Sequence, residues 1–400
     1  MNIKSLVVGV TCLSLMGSLT AQTVAKKPVK PVVINTITFE PIPDSVTATS
    51  ATIAAYLKTH RSDQAAILKS LYGWMGNNIS YDMVNTFKPD YYTDTVDAIN
   101  KTLKTRTAIC HGYASLFMDV SRRAGIPAWL VSGYPITAGK PDNASHMWVA
   151  VFTANKWQLI DPTWGSGYAN NNKFVRHLNW EYFLVSPAVF IKTHVPFDPL
   201  FQFQDHPLRH DEVRDGKWTA GSARPIFNYL DTLAAYTTMS EKDRAQNAAN
   251  RIAQYGISNQ LISVELTDLR NIIANAEHNE QVDAYNKQVG KINKASSLYN
   301  EVTNSFNQYV VFKNNQYTPA KTDKEIREWV DGMATQLDDI DKLLQTVTAT
   351  EPSHVKSVGE IKTAIGGLRQ RITEEQAFVT KYIKTGKLFR KGLFYKMNWK

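Results

Sequence analysis

The stretch Ser145-His146-Met147-Trp148-Val149-Ala150-Val151-Phe152-Thr153-Ala154-Asn155-Lys156-Trp157-Gln158-Leu159-Ile160-Asp161-Pro162-Thr163-Trp164 decides how this chain is read. Two strand-like runs, Ser145–Phe152 and Lys156–Asp161, flank a turn at Thr153-Ala154-Asn155-Lys156, the pattern of an antiparallel hairpin. A two-residue loop at Thr153-Ala154, or a four-residue loop around it, sets His146 directly opposite Asp161. The same register sets Trp148 opposite Leu159 and Ala150 opposite Trp157, so the polar pair sits on an otherwise apolar face. Facing Cβ atoms would be ~5 Å apart. A carboxylate there accepts one imidazole N–H, fixes the tautomer and leaves the other nitrogen for a nucleophile. Taken singly, His146 reads as a satisfied core histidine and Asp161 as a turn cap before Pro162. Only the pairing makes them candidates, and a one-residue slip would undo it.

A nucleophile candidate lies upstream. Cys110 opens Cys110-His111-Gly112-Tyr113-Ala114-Ser115-Leu116-Phe117, at the start of a helix expected over Cys110–Ala124 and stopped by Gly125 and Pro127. Free N–H groups and the helix dipole at that end favour an anion, and a thiol attacks carbonyls only as thiolate. A small buried hydrophobe is the equal alternative for a lone cysteine.

Around these motifs the pattern predicts helices over Ala48–Tyr56, from Ser62 through Met75 and over Thr95–Leu103, then strands Ala128–Tyr134, Ser145–Phe152 and Lys156–Asp161. Beyond about Asp215 Trp and Pro become rare, and apolar residues recur three or four apart in Ile226–Ile257, Leu261–Ala276, Val282–Tyr309 and Ile326–Val347. That reads as a bundle of long helices. The expected fold is α+β, helices on an antiparallel sheet over 45–215, followed by an all-α bundle over 216–380. Residues 22–44 form a Pro/Lys-rich linker, and 381–400 a basic aromatic tail.

At 400 residues, two domains are the default. A hydrophobic fraction of 43% is too high for a largely disordered chain. The net charge of +9 is mild for this length, and no nucleic-acid module stands out. Residues 1–21 have one early lysine, an apolar run from Leu6 to Leu19 and a small-residue site at Ala21, the layout of a signal peptide. Secretion to the periplasm or cell envelope is therefore expected, with Cys12 lost on cleavage and Cys110 left without a disulfide partner. The tail from Lys381 interleaves Lys/Arg with Tyr382, Phe389, Phe394, Tyr395 and Trp399. Such a segment either contacts an anionic envelope surface or packs its aromatics under the bundle, and the second is the expectation.

Four ordered motifs carry a family resemblance: Cys110-His111-Gly112-Tyr113-Ala114; Gly125-Ile126-Pro127 with Val131-Ser132-Gly133-Tyr134; His146-Met147-Trp148; and Trp157-Gln158-Leu159-Ile160-Asp161-Pro162-Thr163-Trp164-Gly165. Together they resemble the transglutaminase-like superfamily. More narrowly, with Trp74-Met75, Ile79-Ser80-Tyr81-Asp82, Tyr182–Pro187 and His194–Pro199, they resemble its branch containing kyphoscoliosis peptidase. The resemblance covers about 45–205 and implies a papain-like transglutaminase core. It also implies Cys110 as nucleophile, His146 as general base and acid, Asp161 as orienting residue, and the Cys110 N–H as one oxyanion donor. Ala108 and Met147 depart from the family's usual Gly and Ala without removing a catalytic group. Trp74, Tyr81, His111, Trp148 and Trp164 are cleft candidates, with core packing the competing role for Trp74.

The expected function is an exported thiol-dependent acyl transfer from peptide or glutamine amides, as a cysteine peptidase or amidase with a protein or peptide substrate. A cross-linking transglutaminase and a non-catalytic scaffold of the envelope are the alternatives. No metal or cofactor is expected: His206 and His210 are separated by Pro207, and no Gly-rich phosphate loop occurs.

Overall fold

The structure is a computed structural model that describes residues 38–88, 91–218, 224–348 and 350–395. The expected leader and most of the linker lie outside these residues. Helices α1 (Ser50–His60) and α2 (Gln64–Asn78) open the fold, the second capped by Asp63 rather than Ser62. Next come β1 (Ser80–Tyr81), α3 (Thr95–Thr105), β2 (Thr107–Ala108) and α4 (Cys110–Arg123). The sheet strands follow: β3 (Ala128–Thr137), β4 (Lys140–Pro141), β5 (His146–Thr153) and β6 (Lys156–Ile160). A separate hairpin, β7 (Gly167–Asn170) and β8 (Lys173–Arg176), precedes a one-turn α5 (Pro187–Phe190), β9 (His194–Pro196) and a short α6 (His210–Arg214). The main sheet runs β4-β3-β5-β6, with β9 antiparallel to β3.

Alternation along β5 explains the layering. Val149 and Val151 point into a core shared with Leu71, Leu116, Phe117 and Val120 of α2 and α4. Trp148 and Ala150 point the other way, towards Phe190, Leu200 and Leu233. That second face is roofed by α7 (Tyr229–Thr238), α8 (Glu241–Tyr255) and the start of α9 (Gln260–Asn314). Ile252, Ile262 and Leu266 pack on Tyr134, Val195 and Phe197, and Arg251 grips Asp198 with two hydrogen bonds of 2.8 and 2.6 Å.

Beyond the boundary expected at 215, helices up to about Leu266 still pack on the sheet's second face. The bundle proper is the C-terminal part of α9 with α10 (Asp323–Gln345) and α11 (Pro352–Lys384), joined by Phe306, Tyr309, Leu337, Ile340 and Leu368. Between the halves α9 is unbroken. Residues 277–281, expected to separate two helices, are helical and exposed throughout. In the tail, which ends in α12 (Lys391–Phe394), Tyr382 and Phe394 pack on the bundle as expected. Leu388, Phe389 and Tyr395 do not, at 94%, 75% and 72% exposure.

Gly133 is where β9 can lie against β3, since a Cβ there would overlap the Val195 carbonyl and the Trp148 ring. Gly133→Ala is expected to cost about 1–3 kcal/mol, as overpacking does, read as a lower thermal midpoint. An unchanged midpoint would mean that β9 seats with slack.

Candidate active site

Cys110 is the first residue of α4, after the N-cap Ile109, and is half-buried. Further along α4, Tyr113, Leu116, Phe117 and Val120 are all fully buried, which fixes the helix and its N-terminal end. Tyr113 Oη also donates to the Ile79 carbonyl at 2.8 Å. The parallel pairing of Tyr81 with Ala108 brings Tyr81 beside the start of α4. Ala108 itself is fully buried in the core.

The hairpin turn is one residue later than the sequence pattern predicts. Ala154 and Asn155, with φ of 50° and 58°, form the two-residue loop, so Thr153 pairs with Lys156 and Ala150 with Leu159. Relative to the expected register each pairing slips by two residues. Side chains alternate with period two, so the slip leaves His146 and Asp161 on one face. They meet diagonally, Asp161 lying just past the end of β6, and His146 Nε2 is 2.8 Å from Asp161 Oδ2.

Asp161 has no solvent exposure. Its two oxygens make different contacts. Oδ1 accepts the Thr163 and Trp164 N–H groups at 2.8 and 3.1 Å, a turn cap. Oδ2 faces two imidazoles, His146 at 2.8 Å and His194 at 3.1 Å. His194 was not among the expected site residues, because it lies 33 positions away and reaches Asp161 only through the β3–β9 pairing. It is buried and stacked on Phe190 at 4.1 Å. Its Nδ1 lies 2.9 Å from Thr193 Oγ1, so a hydroxyl donating there leaves Nε2–H to donate to Asp161.

One buried carboxylate cannot stabilise two imidazolium ions equally. Burial pushes His146 down, but the Asp161 charge and hydrogen bond outweigh it, and the Cys110 sulfur adds to them, raising His146 to about 10. His194 goes the other way: burial lowers it, and its bond to Asp161 does not compensate while His146 is charged. Asp161 is opposed by burial yet held well below the usual carboxylate range by His146 and then His194. His146, Asp161 and His194 also present donor atoms within 4.8 Å of one another, close enough for a metal. Direct hydrogen bonding already accounts for their approach.

A cavity of about 410 Å³ opens beside His146. Tyr81 and Trp164 line it, joined by Tyr168, Phe174 and Tyr182. Three other cleft candidates lie elsewhere. Trp74, 2% exposed, is in the core beneath the Arg106 guanidinium, and Trp148 is fully buried below His194. His111 stands edge-on to Tyr92 and is lowered by burial. Bulky side chains near the motif are needed to pack the sheet, which is why proximity in sequence does not put them in the cleft.

The sequence of residues 51–162 matches the family model of the transglutaminase-like superfamily. Those residues are similar to a transglutaminase-like domain. Human kyphoscoliosis peptidase is 33% identical over 148 residues, 35% of this chain and 22% of that protein. The mouse protein is 33% identical over 194 residues, 44% of this chain and 29% of its own length. The chain thus spans less than a third of these curated relatives. The periplasmic domain of TgpA from Pseudomonas aeruginosa is 26% identical with a TM-score of 0.24, over 28% of this chain and 41% of that one. Members of the superfamily are generally cysteine proteases or acyltransferases. Among the described residues no helix is long and apolar enough to cross a membrane.

Proposed function

We propose that the protein is an exported cysteine peptidase or amidase in which Cys110, His146 and Asp161 act as a triad. The observation that carries this is the His146–Asp161 hydrogen bond at 2.8 Å, with the carboxylate fully buried, and Cys110 is among the groups that raise the same imidazole. Sulfur attacks the amide carbonyl carbon, forming a C–S bond and an oxyanion that the free Cys110 N–H can receive. The C–N bond then breaks as His146 passes its proton to the leaving nitrogen. Water, deprotonated by His146, cleaves the thioester, releasing the acid and restoring the thiol. Asp161 holds the ring and its charge throughout.

Hydrolysis is preferred to amine transfer because the two similar curated proteins carry the name peptidase. Export rests on the leader-like residues 1–21. The test is incubation of the mature protein and its Cys110→Ala variant with casein and a fluorescent primary amine. The expected result is Cys110-dependent new N-termini without amine incorporation. Incorporation without cleavage would replace the peptidase with a cross-linking enzyme. Neither product would leave a binding scaffold.

A further inference from the structure

The cavity beside His146 has a direction and a chemistry of its own. We propose that it receives the side chain on the leaving-group side of the scissile bond, and that this side chain is bulky, apolar and uncharged, of the Phe, Tyr or Leu class. The inference rests on the proposed triad.

Direction follows from which catalytic group the cavity touches. His146 is in its wall and Cys110 is not. The imidazole delivers its proton to the departing nitrogen, so a pocket built on the imidazole lies beyond that nitrogen, where the first residue of the released fragment sits. The acyl half, bonded to sulfur, extends the other way.

Chemistry follows from the lining. Tyr81, Trp164 and Tyr182 wall the cavity from the core, and Tyr168 and Phe174 from the β7–β8 hairpin. No Asp, Glu, Lys or Arg contributes to it. Of the two cations on β8, Arg176 is spent on the Gly76 and Ile79 carbonyls, and Lys173 is exposed and not part of the lining. A carboxylate entering this space would lose its hydration and meet no ion but the His146 imidazolium, whose charge Asp161 already compensates. A large apolar side chain would exchange water for aromatic faces. His177 and Asn179 also line the cavity, and Thr163 Oγ1 is buried in the wall with no hydrogen-bond partner among the described residues. It suits the backbone of a bound peptide rather than a charged head group. The hairpin wall is formed locally: Asn171 and Asn172, with φ of 48° and 60°, make its two-residue turn, and Tyr168 remains 53% exposed at its edge.

Two measurements test this. In the first, the mature protein digests a peptide mixture and the new N-terminal residues are sequenced. Phe, Tyr and Leu are expected to exceed Gly, Asp and Lys by about tenfold in rate, a normal margin for an apolar pocket. Tyr168→Ala with Phe174→Ala should flatten that preference and leave the preference on the acyl side unchanged. A flat distribution with robust cleavage overturns the cavity assignment and keeps the peptidase.

The second needs no turnover. The full-length Cys110→Ala protein is titrated by calorimetry with phenylalaninamide, leucinamide, glycinamide, lysinamide and glutamic acid α-amide. Saturable binding of the first two, weakened by Tyr168→Ala, supports the assignment even if no peptide is cleaved. Tightest binding of lysinamide would mark the cavity as a cationic amine site and overturn it, as would no binding at all.

Discussion

His146→Ala is expected to slow alkylation of Cys110 by iodoacetamide on the order of tenfold at pH 7, since reactivity follows the thiolate and its cationic neighbour. It should also reduce peptide hydrolysis about 10³–10⁴-fold, the usual loss when a triad member is removed. Of the two imidazoles bonded to Asp161, His146 is the one that Cys110 helps to raise. With His146 raised to about 10, the imidazole is protonated at neutral pH and stands as a cation beside the sulfur. Cys12 belongs to the expected leader, so Cys110 alone reports in the mature protein. Equal labelling rates in wild type and variant would mean a thiol that does not feel the imidazole, and the scaffold reading would lead.

The same charges set a stability profile. A group raised in the folded state stabilises fully below its unfolded value, so the contribution of His146 is intact below about 6.5 and lost as pH climbs towards about 10. His194 is lowered by burial, so its contribution is present above 6.5 and lost as pH falls below it. Asp161, also lowered, contributes above 3.8 and loses this only as pH falls further. The melting temperature should therefore peak near pH 6–7, between the two histidines. His146→Ala should weaken the alkaline limb and, by removing a charge that lowers His194, also the His194 part of the acid limb, while the Asp161 part below 3.8 persists. An alkaline limb identical in both proteins would mean that His146 is not charged in the fold.

How much of this is legible in the sequence depends on whether a contact is fixed by parity or by tertiary closure. The diagonal meeting of His146 and Asp161 tolerates the two-residue error in the hairpin register because a strand repeats every two residues. Cys110 at a helix start is likewise local, decided by the amphipathic run behind it. His194 is not local: its place depends on Gly133 allowing β9 to close onto β3. The β7–β8 hairpin did have a signal, the Asn170-Asn171-Asn172 run, since Asn tolerates the left-handed turn. The packing of α8 on the sheet layer was not legible, because a helix rich in Ala, Gln and Asn has the composition of any surface helix. Only the burial of Ala249 and Ile252 against the sheet layer distinguishes it from the bundle. The exposed middle of α9 lacks an apolar stripe, which hid its continuity, although it contains no Gly or Pro between Gln260 and Val289.

Asp161 should separate catalysis from folding through two substitutions. Asp161→Asn retains a carbonyl oxygen that can cap the Thr163 and Trp164 N–H groups, so the turn into Trp164 should survive. The amide NH₂ then faces Nε2 of both His146 and His194, where it can donate but not accept. Each ring must present a bare Nε2, which forces His146 to carry its proton on the side facing Cys110, the wrong tautomer for a base. Hydrolysis should fall about 10³–10⁴-fold with a near-native melting temperature. Asp161→Ala removes all four hydrogen bonds and leaves two backbone N–H groups and two imidazoles buried without their acceptor. That should cost ~3–5 kcal/mol, the range for breaking a buried charge network, and the protein should lose activity with stability. Denaturant unfolding beside the rate assay distinguishes the two. If Asp161→Asn were as unstable as Asp161→Ala, the carboxylate would be chiefly structural. If Asp161→Asn kept full activity, Asp161 would have no part in the triad, and the orienting role assigned to it would be wrong.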